Sequence, residues 1–71
     1  MADDVRANIT GVVFQIAAGP GTRVTAGDPI IVLESMKMEI PVEAPRDGRV
    51  TAIHVAEGQT VQEGDVVASL E

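Results

Sequence analysis

The chain has 71 residues, a formal net charge of −6 and no cysteine. Its length allows a single domain over residues 1–71, and the lack of cysteine excludes disulfides and thiolate metal sites. The acidic balance argues against nucleic acid as a partner, because its phosphates would be repelled. No apolar run approaches the roughly 20 residues of a membrane span, and the N-terminus lacks a leader pattern, so we expect a soluble, cytoplasmic protein.

The composition predicts an all-β fold. Phe14 is the only aromatic residue, so valine, isoleucine, leucine and alanine must build the core. The β-branched members of this set favour sheet over helix. Glycine or proline also interrupts nearly every window long enough to hold a helix, and we therefore expect essentially no α-helix.

Two halves of the chain repeat each other at an offset of 37 residues, the separation between Gly11 and Gly48. The matched residues are glycines, turn acids and apolar residues, which set turns and cores rather than chemistry. Two such units, at about residues 3–34 and 40–71, would bury their apolar faces against each other in a flattened barrel or sandwich with pseudo-twofold symmetry. Identical pairs include Gly11 and Gly48, Val13 and Val50, Ile16 and Ile53, Gly21 and Gly58, Val24 and Val61, Gly27 and Gly64, Asp28 and Asp65, Leu33 and Leu70, and Glu34 and Glu71.

Apolar and alternating runs predict the strands in chain order. We expect them at residues 5–7, 11–16, 30–33, 40–44, 49–55 and 66–70, with a short extended link at residues 22–24. A tight turn at Met36 and Lys37 then joins the two halves. The central residues of a two-residue hairpin take positive φ, which favours Asn, Asp or Gly. Methionine and lysine gain nothing there, so the turn is a candidate functional site.

Lys37 is the only lysine of the chain. A general base or a Schiff-base amine has to be deprotonated, which burial or nearby cations favour. The charged residues nearest to Lys37 in the sequence are instead two acids, Glu34 and Glu39. His54 lies in a predicted strand, where we expect an exposed or edge position, and one histidine with scattered carboxylates does not make a metal site. No complete active site is visible, and we expect a protein that is not an enzyme.

Acylation of Lys37 suits the pattern better. An acylated amine has to stand away from the body of the protein, on a rigid hairpin, with no competing amine nearby. Met36 and Met38 flank it at a spacing that does not let both enter one core, so we interpret them as exposed residues that a partner recognises.

The sequence Glu34-Ser35-Met36-Lys37-Met38 resembles the attachment motif of biotin carboxyl carrier and biotinyl-attachment domains, of the biotinyl/lipoyl fold. The glycine, valine and Gly-Asp pattern of the two halves extends the resemblance over nearly the whole chain. It implies two four-stranded antiparallel sheets in a flattened barrel and covalent biotin on Lys37, attached by a biotin protein ligase. The biotinyl-lysine would carry CO2 from a biotin carboxylase to a carboxyltransferase that acts on an acyl-CoA or a keto acid. Recognition would involve Glu34, Ser35, Met36, Met38 and Glu39.

Some features depart from the family pattern. Asn8-Ile9 replaces a common Pro-Met, and the short link from Ile16 to Val24 is typical of the thumbless type. With no linker or enzyme domain attached, we expect a standalone carrier that is a monomer when isolated and meets its carboxylase non-covalently. The alternatives are a lipoyl carrier, whose lysine is typically flanked by Asp and Ala, a biotinylated protein with no carboxylase role, and an unmodified structural module.

Overall fold

A computed structural model describes residues 3–71 as eight strands in two four-stranded antiparallel sheets. These residues form no helix, so none of them belongs to a helix that could cross a membrane. The predicted all-β architecture of two antiparallel sheets is confirmed. The strands are β1 (Asp3–Arg6), β2 (Gly11–Ile16), β3 (Arg23–Val24), β4 (Pro29–Ser35), β5 (Met38–Glu43), β6 (Gly48–Ile53), β7 (Thr60–Val61) and β8 (Val66–Leu70).

Most strand positions agree with the sequence predictions, and the differences are at strand ends. β4 and β5 are longer toward the turn than predicted, because the pairs Glu34 with Glu39 and Ser35 with Met38 continue their ladder. β6 ends earlier than predicted, so His54 lies just beyond the strand rather than in it. The two-residue strand β7 was not predicted, since a run this short carries no alternation that could reveal it.

Each sheet combines strands from both halves of the chain. The sheet that carries the turn, here called the hairpin sheet, has the order β5-β4-β2-β7, and the opposite sheet has the order β1-β8-β6-β3. In both, one half supplies the two central strands and the other half supplies the two edge strands. Backbone hydrogen bonds also join the two halves in matching pairs: Gly27 N donates to Ala44 O, and Gly64 N donates to Ala7 O, both at 2.9 Å. Neither half could therefore complete a sheet alone.

The core between the sheets is wholly apolar in the part of the chain that is described. None of residues 3–71 has a buried polar or charged side chain. The inward positions follow a period of two in β2 and β6, as a half-buried sheet requires, whereas β4 and β8 each bury two consecutive residues, Ile30-Ile31 and Val67-Ala68. Apolar burial and the backbone ladders therefore hold the fold, and chemistry has to occur on its surface. The buried residues are Val5, Ala7, Val13, Ala18, Val24, Ile30, Ile31, Leu33, Val42, Ala44, Val50, Val61, Val67, Ala68 and Leu70.

Gly27 and Gly64 occupy matching turns with the same φ of 92°. In the first turn Asp28 N donates to Thr25 O at 2.9 Å, and in the second Asp65 N donates to Gln62 O at 3.0 Å. Positive φ at the third residue of such a turn is the requirement of type II, which glycine meets without a steric cost.

We expect Gly27→Val and Gly64→Val each to lower the free energy of unfolding by more than about 1 kcal/mol, because a β-branched residue is strained at positive φ. Gly19→Val is the control, since a Cβ at Gly19 meets nothing within 4 Å and its φ lies outside the left-handed region. Urea denaturation of the three variants measures the difference. Wild-type stability in both turn variants would contradict the assignment of these turns.

Candidate functional site

The hairpin between β4 and β5 is closed by a turn of only two residues. Ser35 pairs with Met38, and the residues between them, Met36 and Lys37, have φ of 51° and 65°. Two consecutive left-handed residues define a type I′ turn, whose twist matches that of the flanking strands. The structure therefore contains the tight turn that the sequence predicts, with side chains that do not favour it.

This turn stores conformational strain. A residue with a Cβ costs roughly 1–2 kcal/mol in the left-handed region, and in the described part of the chain only Met36 and Lys37 among non-glycine residues adopt it. The β4–β5 ladder, from the pair of Pro29 with Glu43 to the pair next to the turn, holds them in place. The base of the hairpin is consequently rigid, as strain of this kind requires.

The side chains at the tip are open to solvent. Met36 is 91% exposed, Met38 is 61% exposed, and Lys37 is exposed as well. Within residues 3–71, no hydrogen bond or ion pair involves the Lys37 ammonium group. The methionines do not enter the core, as expected, and the amine is free to meet another molecule.

The carboxylates of Glu34 and Glu39 lie next to the tip. They are directly opposite each other in the β4–β5 ladder, and both are exposed. Like charges in such a pair are destabilising. None of the ion pairs found in residues 3–71 neutralises either of them. Ser35, the remaining residue expected to take part in recognition, is half-buried between Glu34 and the turn.

His54 does not join this group. Its Nε2 lies 2.9 Å from Ser69 Oγ, which belongs to β8 of the opposite sheet. In the described residues no cluster of histidine, aspartate and glutamate is arranged to hold a metal ion, and no pocket is found. The chemical group that the molecule does offer is the exposed amine of the hairpin.

The surroundings of Lys37 fit a covalently attached acyl group. An amide at Nζ would extend from an exposed side chain, and no buried residue would have to move. The amide would remove a charge that makes no ion pair within residues 3–71, so the fold would lose no interaction. The strained turn would hold the base of the modified side chain while its far end moved freely.

The sequence analysis did not single out the residues beside the hairpin. Val12 and Phe14 of β2 are exposed on the outer face of the hairpin sheet. A signal for them was present in the repeat, because their counterparts 37 residues later are Arg49 and Thr51 rather than apolar residues. These positions are marked by a difference between the two halves rather than by an identity.

The family described as "Biotin-requiring enzyme" matches residues 2–70. The chain is 44% identical over 68 residues to the "Biotinylated protein TB7.3 homolog" of Mycobacterium leprae (strain TN), with 96% of each chain covered. It is 37% identical over 67 residues to pyruvate carboxylase of Bacillus subtilis (strain 168), covering 94% of this chain and 6% of the carboxylase. The crystal structure of Kluyveromyces lactis urea carboxylase matches with a TM-score of 0.94 at 35% identity, over 100% of this chain and 6% of that chain.

The chain thus matches a biotin-requiring family, a relative of about the same length, and one small region in each of two much larger carboxylases. The fold and the sequence agree over nearly the whole chain. The protein therefore belongs to the biotin-requiring enzyme family, as a non-catalytic biotinyl carrier domain homologous to the biotin carrier domains of carboxylases.

Proposed function

We propose that Lys37 is the residue to which a biotin protein ligase attaches biotin, and that the domain then serves as the carrier subunit of a carboxylase system. One observation supports this assignment above the others. The chain's only lysine is at the exposed tip of a type I′ turn that its own side chains disfavour. A sequence selected for stability alone would have Asn-Gly at this turn.

Attachment requires an amide bond between Lys37 Nζ and the carboxyl group of biotin. A carboxylate does not react with an amine unaided, so the ligase would first couple the carboxyl group of biotin to the AMP part of ATP, with pyrophosphate as the leaving group. The amine of Lys37 would then form the amide bond with that carboxyl carbon, with AMP as the leaving group and the amine protons given up to solvent or to the ligase. Lys37 has to reach the reaction centre of the ligase, and its exposure allows this.

Biotin, when bound, supplies the group that carries CO2. The residues of the chain supply a rigid base, because the ladder of β4 and β5 continues up to the turn. The reactions themselves belong to the partner enzymes, a biotin carboxylase and a carboxyltransferase acting on an acyl-CoA or a keto acid. We propose that a monomeric carrier meets these enzymes in the cytoplasm.

Five residues around Lys37 form the proposed recognition site. The methionines on both sides present apolar, flexible side chains to a partner. The two glutamates place negative charge beside the turn, and no ion pair within residues 3–71 neutralises it. The serine is half-buried and pairs with Met38 at the base of the turn. The proposed recognition residues are Glu34, Ser35, Met36, Met38 and Glu39.

A second candidate function is that of a biotinylated protein without a carboxylase role. The full-length match supports it, since the chain covers 96% of the biotinylated protein from Mycobacterium leprae but only 6% of the pyruvate carboxylase from Bacillus subtilis. The two candidates share the modification of Lys37 and differ in what the modified protein binds.

Incubation of the purified protein with biotin protein ligase, biotin and ATP tests the modification. We expect the intact mass to rise by one biotinyl group, and peptide mapping to place it on Lys37. No mass gain would refute the assignment. A lipoyl group on Lys37 of the protein as purified from cells, before the incubation, would refute it as well. Affinity purification of partners with the biotinylated protein then separates the candidates, because a carboxylase carrier recovers biotin carboxylase or carboxyltransferase and the alternative recovers neither.

A further inference from the structure

The outer face of the hairpin sheet carries a cluster of apolar residues next to the turn. Val12 and Phe14 are 39% and 50% exposed, so the only aromatic side chain lies half outside the core. Val32 of β4 is half-buried on the same face, and its partner across the ladder is the exposed Pro41 of β5. We call these four residues, together with Glu34, the docking face.

The pseudo-symmetry of the fold provides an internal comparison for this face. The same four positions on the opposite sheet, related by the offset of 37 residues, are occupied by Arg49, Thr51, Ser69 and Asp4. All four are polar, and three of them are exposed. The fold therefore accepts polar residues at these positions, and the apolar ones of the hairpin sheet do not serve the core. Single exposed apolar residues are common, whereas a contiguous group indicates a contact surface.

Charge distinguishes the two faces in the same way. On the opposite sheet the carboxylate of Glu71 is paired with Arg49, whose Nε donates at 3.1 Å. The equivalents of these residues on the hairpin sheet are Glu34 and Val12, which face each other in the β2–β4 ladder. A valine has replaced the arginine, and Glu34 instead faces Glu39 on its other side. The docking face thus combines exposed apolar area with a carboxylate, Glu34, that forms no ion pair with any cation of residues 3–71.

We propose that the docking face binds the biotin protein ligase that modifies Lys37, through an apolar patch on the ligase bordered by lysine or arginine side chains. This inference rests on the proposed function, because it requires Lys37 to be the acceptor. A lysine or arginine side chain at the border of the ligase patch would form an ion pair with Glu34, as Arg49 does with Glu71 on the opposite sheet.

The position of the face favours the ligase over the carboxylase enzymes. The ligase has to bring Nζ of Lys37 into its own reaction centre, so it must contact the strands that lead into the turn. Glu34 precedes Lys37 by three residues, and its pair with Glu39 is the next rung of the ladder after the Ser35–Met38 pair that closes the turn. A carboxylase receives biotin at the end of a long side chain and can dock further away.

Two substitutions test the proposal, each introducing the residue that the opposite sheet has at the equivalent position. Val12→Arg gives Glu34 an internal partner, and Phe14→Thr removes apolar area. In steady-state assays with purified biotin protein ligase, biotin and ATP, we expect KM for the carrier to rise about tenfold for Val12→Arg and about fivefold for Phe14→Thr. We expect kcat to remain within about twofold of wild type, because the acceptor turn is unchanged.

Arg49→Val is the matched control, since it places valine at the equivalent position of the opposite sheet. We expect its KM to equal that of the wild type. Thermal unfolding of all variants confirms that each is folded at the assay temperature. The docking proposal is overturned if the two docking-face variants keep the wild-type KM, if only kcat falls, or if Arg49→Val raises KM equally. Absence of biotin incorporation in the wild type would instead overturn the proposed function, and the docking proposal with it.

Discussion

Replacing Met36 by asparagine and Lys37 by glycine together is expected to raise the free energy of unfolding by about 1–3 kcal/mol and to abolish biotin incorporation. Both positions have positive φ, which Asn and Gly adopt more readily than Met and Lys. The two side chains make no core contact that would be lost, because both are exposed. Urea denaturation measures the gain in stability, and intact mass after incubation with ligase measures the loss of modification.

Lys37→Arg is the matched control for this variant. It keeps a long cationic side chain at positive φ, so we expect the free energy of unfolding to stay within about 0.5 kcal/mol of the wild type. Biotin incorporation should still disappear, because an arginine does not provide a primary amine. Unchanged stability in the Asn-Gly variant would show that the turn is not strained. Continued incorporation in the Lys37→Arg variant would show that Lys37 is not the acceptor.

Leu33→Ala is expected to lower the free energy of unfolding by about 2–5 kcal/mol, the usual cost of a cavity at a fully buried leucine. Leu33 is 0% exposed and lies in a central strand of the hairpin sheet, between its ladder partners Val13 and Ile40. A domain of 71 residues has a total stability of roughly 4–10 kcal/mol at the usual range per residue. One truncation therefore removes a large fraction of it.

Leu33→Met and Leu70→Ala are the matched controls for this prediction. The methionine variant preserves volume, and its cost should remain below about 1.5 kcal/mol. Leu70 occupies the equivalent position of the opposite sheet and is also 0% exposed, so its truncation should cost about as much as that of Leu33. Chemical denaturation of the three variants gives the values. A loss below about 1 kcal/mol for Leu33→Ala would contradict the assignment of this residue to the centre of the core.

Features that depend on neighbours in the chain could be predicted from the sequence. The turn at Met36 and Lys37 could be predicted because it lies between two apolar runs that are typical of strands, and few other residues are available to connect these strands. The turns at Gly27 and Gly64 follow from their Gly-Asp pairs, and the structure has positive φ at both. These features are local, because a turn is determined by the conformations of its own few residues.

Features that depend on distant residues could not be predicted in this way. The strand β7 exists only because Thr60 and Val61 meet β2, far away in the chain. Alternation along β2 assigns Val12 and Phe14 to one face, but it does not say what lies across from that face. The contact of Val12 with the strand that carries Glu34 became visible only when the β2–β4 register was known.

The sequence by itself determined the all-β class, the repeat of 37 residues and the isolated lysine with its unsuitable turn residues, because composition, periodicity and turn chemistry are properties of neighbouring residues. Only the tertiary structure decided the exchange of edge strands between the halves and the exposure of Val12 and Phe14 beside the turn. It also showed that Arg49 pairs with Glu71 in one sheet, whereas Val12 occupies the equivalent position beside Glu34 in the other. These results depend on which strands become neighbours, and pairing between distant segments is set by the packing of the whole core.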